Sequence, residues 1–240
     1  MRRYFRVAAV AAAVLIALGT GAYQLMNARC FAIGMPAICR VETERPRVAL
    51  SFDDGPTARG IDAVLPELER RGARATFFLT GSVTEARPEL ARRVLAAGHE
   101  IANHSYTHPR MVFHSRAFYD REIAQTQAVL KSVGGSSDLF RPPYGKKLFG
   151  LPAALKQQNL RMVMWDVEEP RTDDPAVFAR RVVDAARSGS IILLHVMYAP
   201  NEPARRALPA ILDGLAAKGL EVVSVSELLR DERRPSIPAR

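Results

Sequence analysis

The sequence predicts an α/β fold: a distorted (β/α) barrel of about seven strand–helix units, preceded by an N-terminal transmembrane or signal segment. Three observations lead there. From Val48 onward, short apolar runs alternate with helical patterns, which implies parallel strands joined by helical crossovers. Residues able to do chemistry fall at the ends of those runs, where barrels and open doubly wound sheets both carry their sites. The chain also opens with an uncharged stretch behind a basic start. An open doubly wound sheet is the alternative architecture.

The elements follow in order. Met1-Arg-Arg-Tyr-Phe-Arg6 is basic, and Val7 to Ala28 carries no charge over about 22 residues, long enough to span a bilayer. Arginines ahead of the apolar run favour a cytoplasmic N-terminus and an exported body. Residues 1–28 therefore read as a membrane anchor. A cleaved signal is the alternative, with small residues at Gly19-Thr-Gly-Ala22. The expected location is the cell envelope, anchored in the cytoplasmic membrane with the folded domain outside, or secreted if the segment is cleaved. Residues 29–46, broken by Pro36 and Pro46, read as a linker or collar. The only cysteines, Cys30 and Cys39, lie there. In an exported chain an even pair reads as a disulfide; in a cytoplasmic one, as two free thiols. Zinc would need two further ligands.

Residues 47–229 form the predicted barrel. Strands are expected at Val48–Phe52, Ala75–Leu79, Glu100–Asn103, Leu139–Phe140, Met162–Trp165, Ile191–Leu194 and Leu220–Val225. Helical patterns fill the gaps. Ile61–Arg71 sets Val64, Leu65 and Leu68 on one face. Pro88–Ala97 starts on proline and stops at Gly98. Arg116–Val133 ends at Gly134-Gly135. Leu151–Asn159, Pro175–Arg187, Pro203–Lys218 and a short Ser226–Leu229 follow. Residues 230–240 read as a basic, disordered tail.

Apolar residues make up 48% of the chain, enough for a sizeable core, and the net charge of +9 favours anionic surroundings. No basic run is interleaved with aromatics, so nucleic acid is not an expected partner.

The motifs sit at strand ends. Val48-Ala-Leu-Ser-Phe-Asp-Asp-Gly-Pro56 is an apolar strand ended by two aspartates and a turn, and the turn can aim both carboxylates at one cleft. Asp53 or Asp54 could equally just cap that turn. After the third strand, Asn103-His-Ser-Tyr-Thr-His-Pro109 spaces His104 and His108 four apart, which on one helical turn would put both imidazoles on one face. Two histidines and a carboxylate leave a metal with open positions for water and substrate. Phe140-Arg-Pro-Pro-Tyr-Gly145 ends the fourth strand. Its prolines stiffen the loop, and Arg141 can orient a carboxylate. The fifth strand ends at Trp165-Asp166, with Glu168, Glu169, Asp173 and Asp174 behind it. The sixth ends at Leu193-Leu194-His195. His99 and His114 have no such placement and read as structural or exposed.

Ser51-Phe-Asp-Asp-Gly-Pro56, His104-Ser-Tyr-Thr-His108, Arg141-Pro-Pro-Tyr-Gly145 and Leu193-Leu-His195 resemble the ordered motifs of the polysaccharide deacetylase family, the NodB-homology domains of carbohydrate esterase family 4. The resemblance covers Val48 to Leu229, and the family fold is a distorted (β/α) barrel. It implies a divalent metal, usually zinc, on Asp54, His104 and His108. It implies Asp53 as general base, His195 as general acid and Arg141 as the group orienting Asp53. Pro143, Tyr144, Trp165 and Leu193 would bind substrate: the Tyr144 backbone N–H would hold the oxyanion, while Trp165 and Leu193 would line an acetyl pocket. The family's aspartate that supports the catalytic histidine precedes a second tryptophan, which this chain lacks. Asp173 is the expected partner of His195, with Asp166 second. The implied activity is removal of N-acetyl groups from an aminosugar polymer of the envelope, peptidoglycan or a chitin-like glycan. Two alternatives are the same chemistry on a lipid-linked sugar, removing acetyl or formyl, and a non-catalytic glycan-binding module.

Overall fold

The structure, a computed structural model, describes residues 2–232. The apolar N-terminal stretch is one helix, α1 (Arg2–Asn27). Among the described residues nine strands follow in a single curled sheet: β1 (Ala37–Ile38), β2 (Arg47–Asp53), β3 (Ala75–Leu79), β4 (Glu100–Asn103), β5 (Leu139–Phe140), β6 (Arg161–Val163), β7 (Val167–Glu168), β8 (Ile191–His195) and β9 (Glu221–Val223). Their order is β1-β6-β5-β4-β3-β2-β8-β7, with β9 also pairing β2, and every pairing between them is parallel. The crossovers carry α2 (Ala58–Arg70), α3 (Gly81–Ala86), α4 (Pro88–Ala96), α5 (Arg116–Ser132), α6 (Gly150–Gln157), α7 (Pro175–Ala185), α8 (Glu202–Ala217) and α9 (Val225–Arg230). This is the distorted barrel the alternation predicts.

Strand alternation divides the core. Val48, Leu50, Phe52, Phe77 and Leu79 face the helical wall, where they pack with Ile61, Val64, Leu68, Leu208 and Ile211. Alternate residues of β2 and β3, Ala49 and Phe78, belong to a second cluster with Ile191 and Leu193 of β8, Met164 and Trp165. Parallel partners share a face, so the register Ser51↔Leu193 and Asp53↔His195 sends those four side chains to the inside of the curl. That register assembles the site before any side-chain chemistry is considered.

Helix ends are set locally. Thr57 accepts from the Gly60 N–H at the start of α2. Asp174 accepts from the N–H groups of Ala176 and Val177, with Pro175 in the first turn of α7. Ser224 and Glu227 cap α9 reciprocally.

Residues 29–46 take the collar form rather than that of a free linker: Ala37–Ile38 is the β1 edge strand against Met162–Val163, and the Val41 N–H donates to the Gly189 carbonyl at 2.9 Å. The Cys30–Cys39 disulfide closes this collar. The expected tail begins later than Arg230. Arg230 ends α9, and Asp231 pairs with Arg45 and Arg47 at 2.9 and 3.1 Å. The rest of it, residues 233–240, lies outside the described residues.

Candidate active site

The cleft lies at the carboxyl ends of β2, β4, β5 and β8. Asp53 is the last residue of β2 and is buried. Asp54 follows with φ 77° and Gly55 with φ 69°, so the chain reverses at once. Both carboxylates consequently face the same imidazole: His104 Nε2 is 3.8 Å from Asp53 Oδ2 and 3.7 Å from Asp54 Oδ1. His108 Nε2 lies 3.1 Å from Asp54 Oδ1.

The two histidines do not sit on a helical turn, as their spacing suggests. They belong to an irregular loop after β4, with left-handed backbone at Ser105 (φ 62°) and His108 (φ 60°). Side chains hold this loop instead of a helical ladder. Asn103 Oδ1 accepts from the Ser105 N–H at 2.9 Å, and Ser105 Oγ accepts from the His108 N–H at 3.1 Å. Glu122, reaching in from α5, accepts from the N–H groups of Tyr106 and Thr107 at 2.9 and 2.8 Å and from Thr107 Oγ1 at 2.8 Å. Nothing in the spacing of Glu122 on its helix marks it as part of the site.

His104 Nδ1 lies 2.8 Å from the Arg141 carbonyl oxygen. A carbonyl only accepts, so Nδ1 carries the proton and Nε2 presents its lone pair to the aspartates. Burial holds His104 below its ordinary pKa, which keeps it neutral and ready to ligate. Burial pushes Asp54 up, but the His108 hydrogen bond and the surrounding imidazoles of His104, His108 and His195 hold it below the usual carboxylate range. Among the described residues, Asp54, His104 and His108 are one group whose ligand atoms lie within 4.8 Å of one another. A carboxylate and two imidazoles, with the His104 lone pair already aimed at the cluster, fit a divalent cation of the first transition row.

Arg141 is fully buried. Its Nη1 donates to Asp53 Oδ1 at 2.7 Å and to Ser51 Oγ at 2.9 Å, and its Nη2 donates to the Met164 carbonyl at 3.0 Å. The guanidinium lies over the Phe78 ring at 4.0 Å. These contacts fix the guanidinium, which holds Asp53 by one oxygen and leaves the other, Oδ2, on the His104 side.

The loop after β5 turns at Tyr144 (φ 57°) and Gly145 (φ 64°). The Tyr144 ring meets His108 edge-on at 4.8 Å, next to Pro143. Gly145 is required: a Cβ there would lie 2.9 Å from the Trp165 ring. Trp165 and Leu193 are both buried in the inner cluster beside Arg141, whose guanidinium is 5.7 Å from the indole.

His195 closes the cleft, but not with the expected partner. Its Nδ1 lies 3.0 Å from Glu169 Oε1, and its backbone N–H donates to Glu169 Oε2 at 2.9 Å. Asp173 is exposed in the turn before α7 and takes no part. Asp166 is engaged elsewhere, accepting from Ser190 Oγ and the Ile191 N–H at 2.9 and 2.8 Å. The reason is β7, which no sequence pattern announces. Pairing Glu168 with Leu193 carries the next residue, Glu169, alongside the end of β8. Burial would lower the His195 pKa, but the Glu169 hydrogen bond, with the charges of Asp53, Glu169 and Asp54, more than offsets it and pushes the imidazole up to about 9. His99 is buried at the opposite end of β4, and His114 is exposed and stacked on Phe118.

Comparisons with known proteins agree with this geometry. The family model for polysaccharide deacetylase matches residues 40–163. The peptidoglycan-N-acetylglucosamine deacetylase PgdA of Listeria monocytogenes is 30% identical over 199 residues, which cover 82% of this chain and 41% of that protein. The chain thus spans about two-fifths of that relative's length. The chitooligosaccharide deacetylase of Sinorhizobium fredii is 34% identical over 169 residues, 68% of this chain and 78% of that protein. Among solved structures, the Bc1960 peptidoglycan N-acetylglucosamine deacetylase superposes with a TM-score of 0.76 at 28% identity, covering 82% of this chain and 94% of that one. The chain belongs to the polysaccharide deacetylase family.

Proposed function

We propose that this chain is a metal-dependent hydrolase that removes N-acetyl groups from an aminosugar glycan of the cell envelope, with peptidoglycan-type N-acetylglucosamine as the first substrate class. The observation that carries this reading is the two-sided cleft: an Arg141-held Asp53 carboxylate beside the Asp54–His104–His108 cluster, and a Glu169-held His195 opposite. Relatives named for peptidoglycan and chitooligosaccharide deacetylation support the class of substrate.

The roles follow from donors and acceptors. Asp54, His104 and His108 would hold the metal, with zinc the preferred ion for a carboxylate and two imidazoles. When bound, it would supply Lewis-acid polarisation of the acetamide carbonyl and of the attacking water. Asp53 takes the proton from that water through the oxygen that Arg141 leaves free. The Tyr144 backbone N–H donates to the carbonyl oxygen as charge develops there. His195 donates its Nε2 proton to the departing sugar nitrogen, since an amide anion leaves poorly, and Glu169 steadies the imidazolium through Nδ1. Trp165 and Leu193 close a small apolar wall suited to a methyl group, and Pro143 stiffens the loop that carries Tyr144.

α1 has the length and apolar character of a membrane span, and the chain would use it as an anchor with the barrel outside the cytoplasm. The test is acetate release from N-acetylated chitooligosaccharides and peptidoglycan fragments by purified protein, alongside metal content. His104→Ala should lose both. Acetate release that persists in the metal-free variant would overturn the proposal.

A further inference from the structure

Outside α1, the exposed large apolar side chains among the described residues are Phe31, Phe113, Tyr144, Phe149 and Tyr198. Phe113 and Phe149 stand out at 81% and 64% exposed. Phe113 is in the loop after β4, Tyr144 and Phe149 in the loop after β5, and Tyr198 in the loop after β8. Phe31 is in the collar just past α1. The four loop residues share the strand-end face that holds the cleft. The outer helical wall and the opposite strand ends carry no exposed large apolar side chain among the described residues. A patch gathered on one face marks an interaction surface.

The end of α1 is fastened to the same face. Lys146 Nζ donates to Asn27 Oδ1 and lies 5.9 Å from the Tyr23 ring. Lys147, itself buried, donates to the Ala28 carbonyl. Arg29 pairs with Glu168 and lies 5.9 Å over Trp165. The loop that presents Tyr144 thus also grips the last turn of α1, while the apolar window of α1 is left uncovered by the rest of the chain. Cations stand among the rings: Lys146, Arg29, and Arg110 at 5.3 Å over Tyr144. Aromatic rings mixed with lysine and arginine are the composition of a membrane–water interface. Three of the five rings are phenylalanines, which offer a sugar no hydrogen bond.

We propose that the strand-end face is a membrane-docking surface: with α1 across the bilayer, Phe31, Phe113 and Phe149 enter its headgroup layer, and the cleft takes acetamido sugars presented at the lipid surface. This rests on α1 being an anchor and, for the substrate, on the hydrolase function proposed above. The docking itself is independent of catalysis.

Trp165 is the only tryptophan in the chain and sits beneath Arg29, so its emission reports the distance of this face from lipid. The full chain is reconstituted into phosphatidylcholine vesicles brominated high on the acyl chains. Expected is a loss of Trp165 emission relative to unlabelled vesicles. Phe113→Ser with Phe149→Ser should restore it, with flotation and Tm unchanged. A chain that floats without quenching overturns the docking and leaves the anchor standing. A chain that fails to float overturns both. Quenching that survives the double substitution, with a raised KM for soluble chitooligosaccharides, would make the rings a glycan platform and overturn the proposal.

Discussion

Replacing Glu169 with glutamine tests the acid side of the cleft. Glu169 accepts two hydrogen bonds from one residue, from His195 Nδ1 and from its backbone N–H. A glutamine side chain there would offer a single oxygen; its amide NH2 would oppose the other donor, and the negative charge would be gone. The rise of His195 from an ordinary 6.5 to about 9 corresponds to ~3 kcal/mol favouring the protonated form. Burial acts against that rise, so without Glu169 the imidazole loses its hydrogen-bonded carboxylate while burial still pushes it down. The alkaline limb of kcat/KM should fall by about 1–2 pH units, on the order of tenfold in rate near pH 8. Stability follows the same sign. The folded pKa lies above the unfolded one, so the pair stabilises the fold fully below about pH 6.5 and loses that contribution as pH rises through about 9. The assay is acetate release from an acetylated chitooligosaccharide across about pH 5 to 10, which brackets the alkaline limb. A limb that stays in place for Glu169→Gln but moves for Asp173→Asn would refute the assignment.

Other outcomes follow from the same contacts. Glu122→Gln should weaken metal binding about 10–100-fold, with the barrel intact, because it loosens the loop behind His104 and His108; competition with a chromogenic chelator reads this. Arg141→Met should cost about 3–5 kcal/mol in urea unfolding, since it strands the buried Asp53 carboxylate. Doubling the change with Asp53→Asn should recover part of that loss, as a charge-pairing origin requires.

Much of the fold is written in short-range pattern. β2, β3 and β8 are apolar runs of ordinary length, and the helices carry proline starts, glycine stops and one-sided apolar faces. β1 and β7 are two residues long and exist only because a neighbouring strand accepts them. No local pattern announces such an edge, and with β7 went the identity of the His195 partner. Among five acidic residues between Asp166 and Asp174, composition cannot choose; the register of β7 against β8 does. Asp53, Asp54, His104, His108, Arg141 and His195 were legible because each ends a strand or opens the loop behind one. Glu122 was not, since it reaches back from the second turn of its helix to the loop that precedes it, and an acidic residue on an amphipathic helix looks like solvated surface. The conformation of the histidine loop was hidden for a related reason: left-handed backbone at Ser105 and His108 is imposed by Asn103, Ser105 and Glu122, not by helical propensity.

The most direct test separates holding the metal from moving the proton. Asp53 and Asp54 are adjacent in sequence, yet one is fixed by Arg141 and the other lies against His108. Asp53→Asn, metal-loaded and compared with wild type, should keep one divalent ion per chain and lose about 10²-fold or more in acetate release. Near-wild-type acetate release from that variant with its metal in place would contradict Asp53 as the base, and with it the account of the cleft.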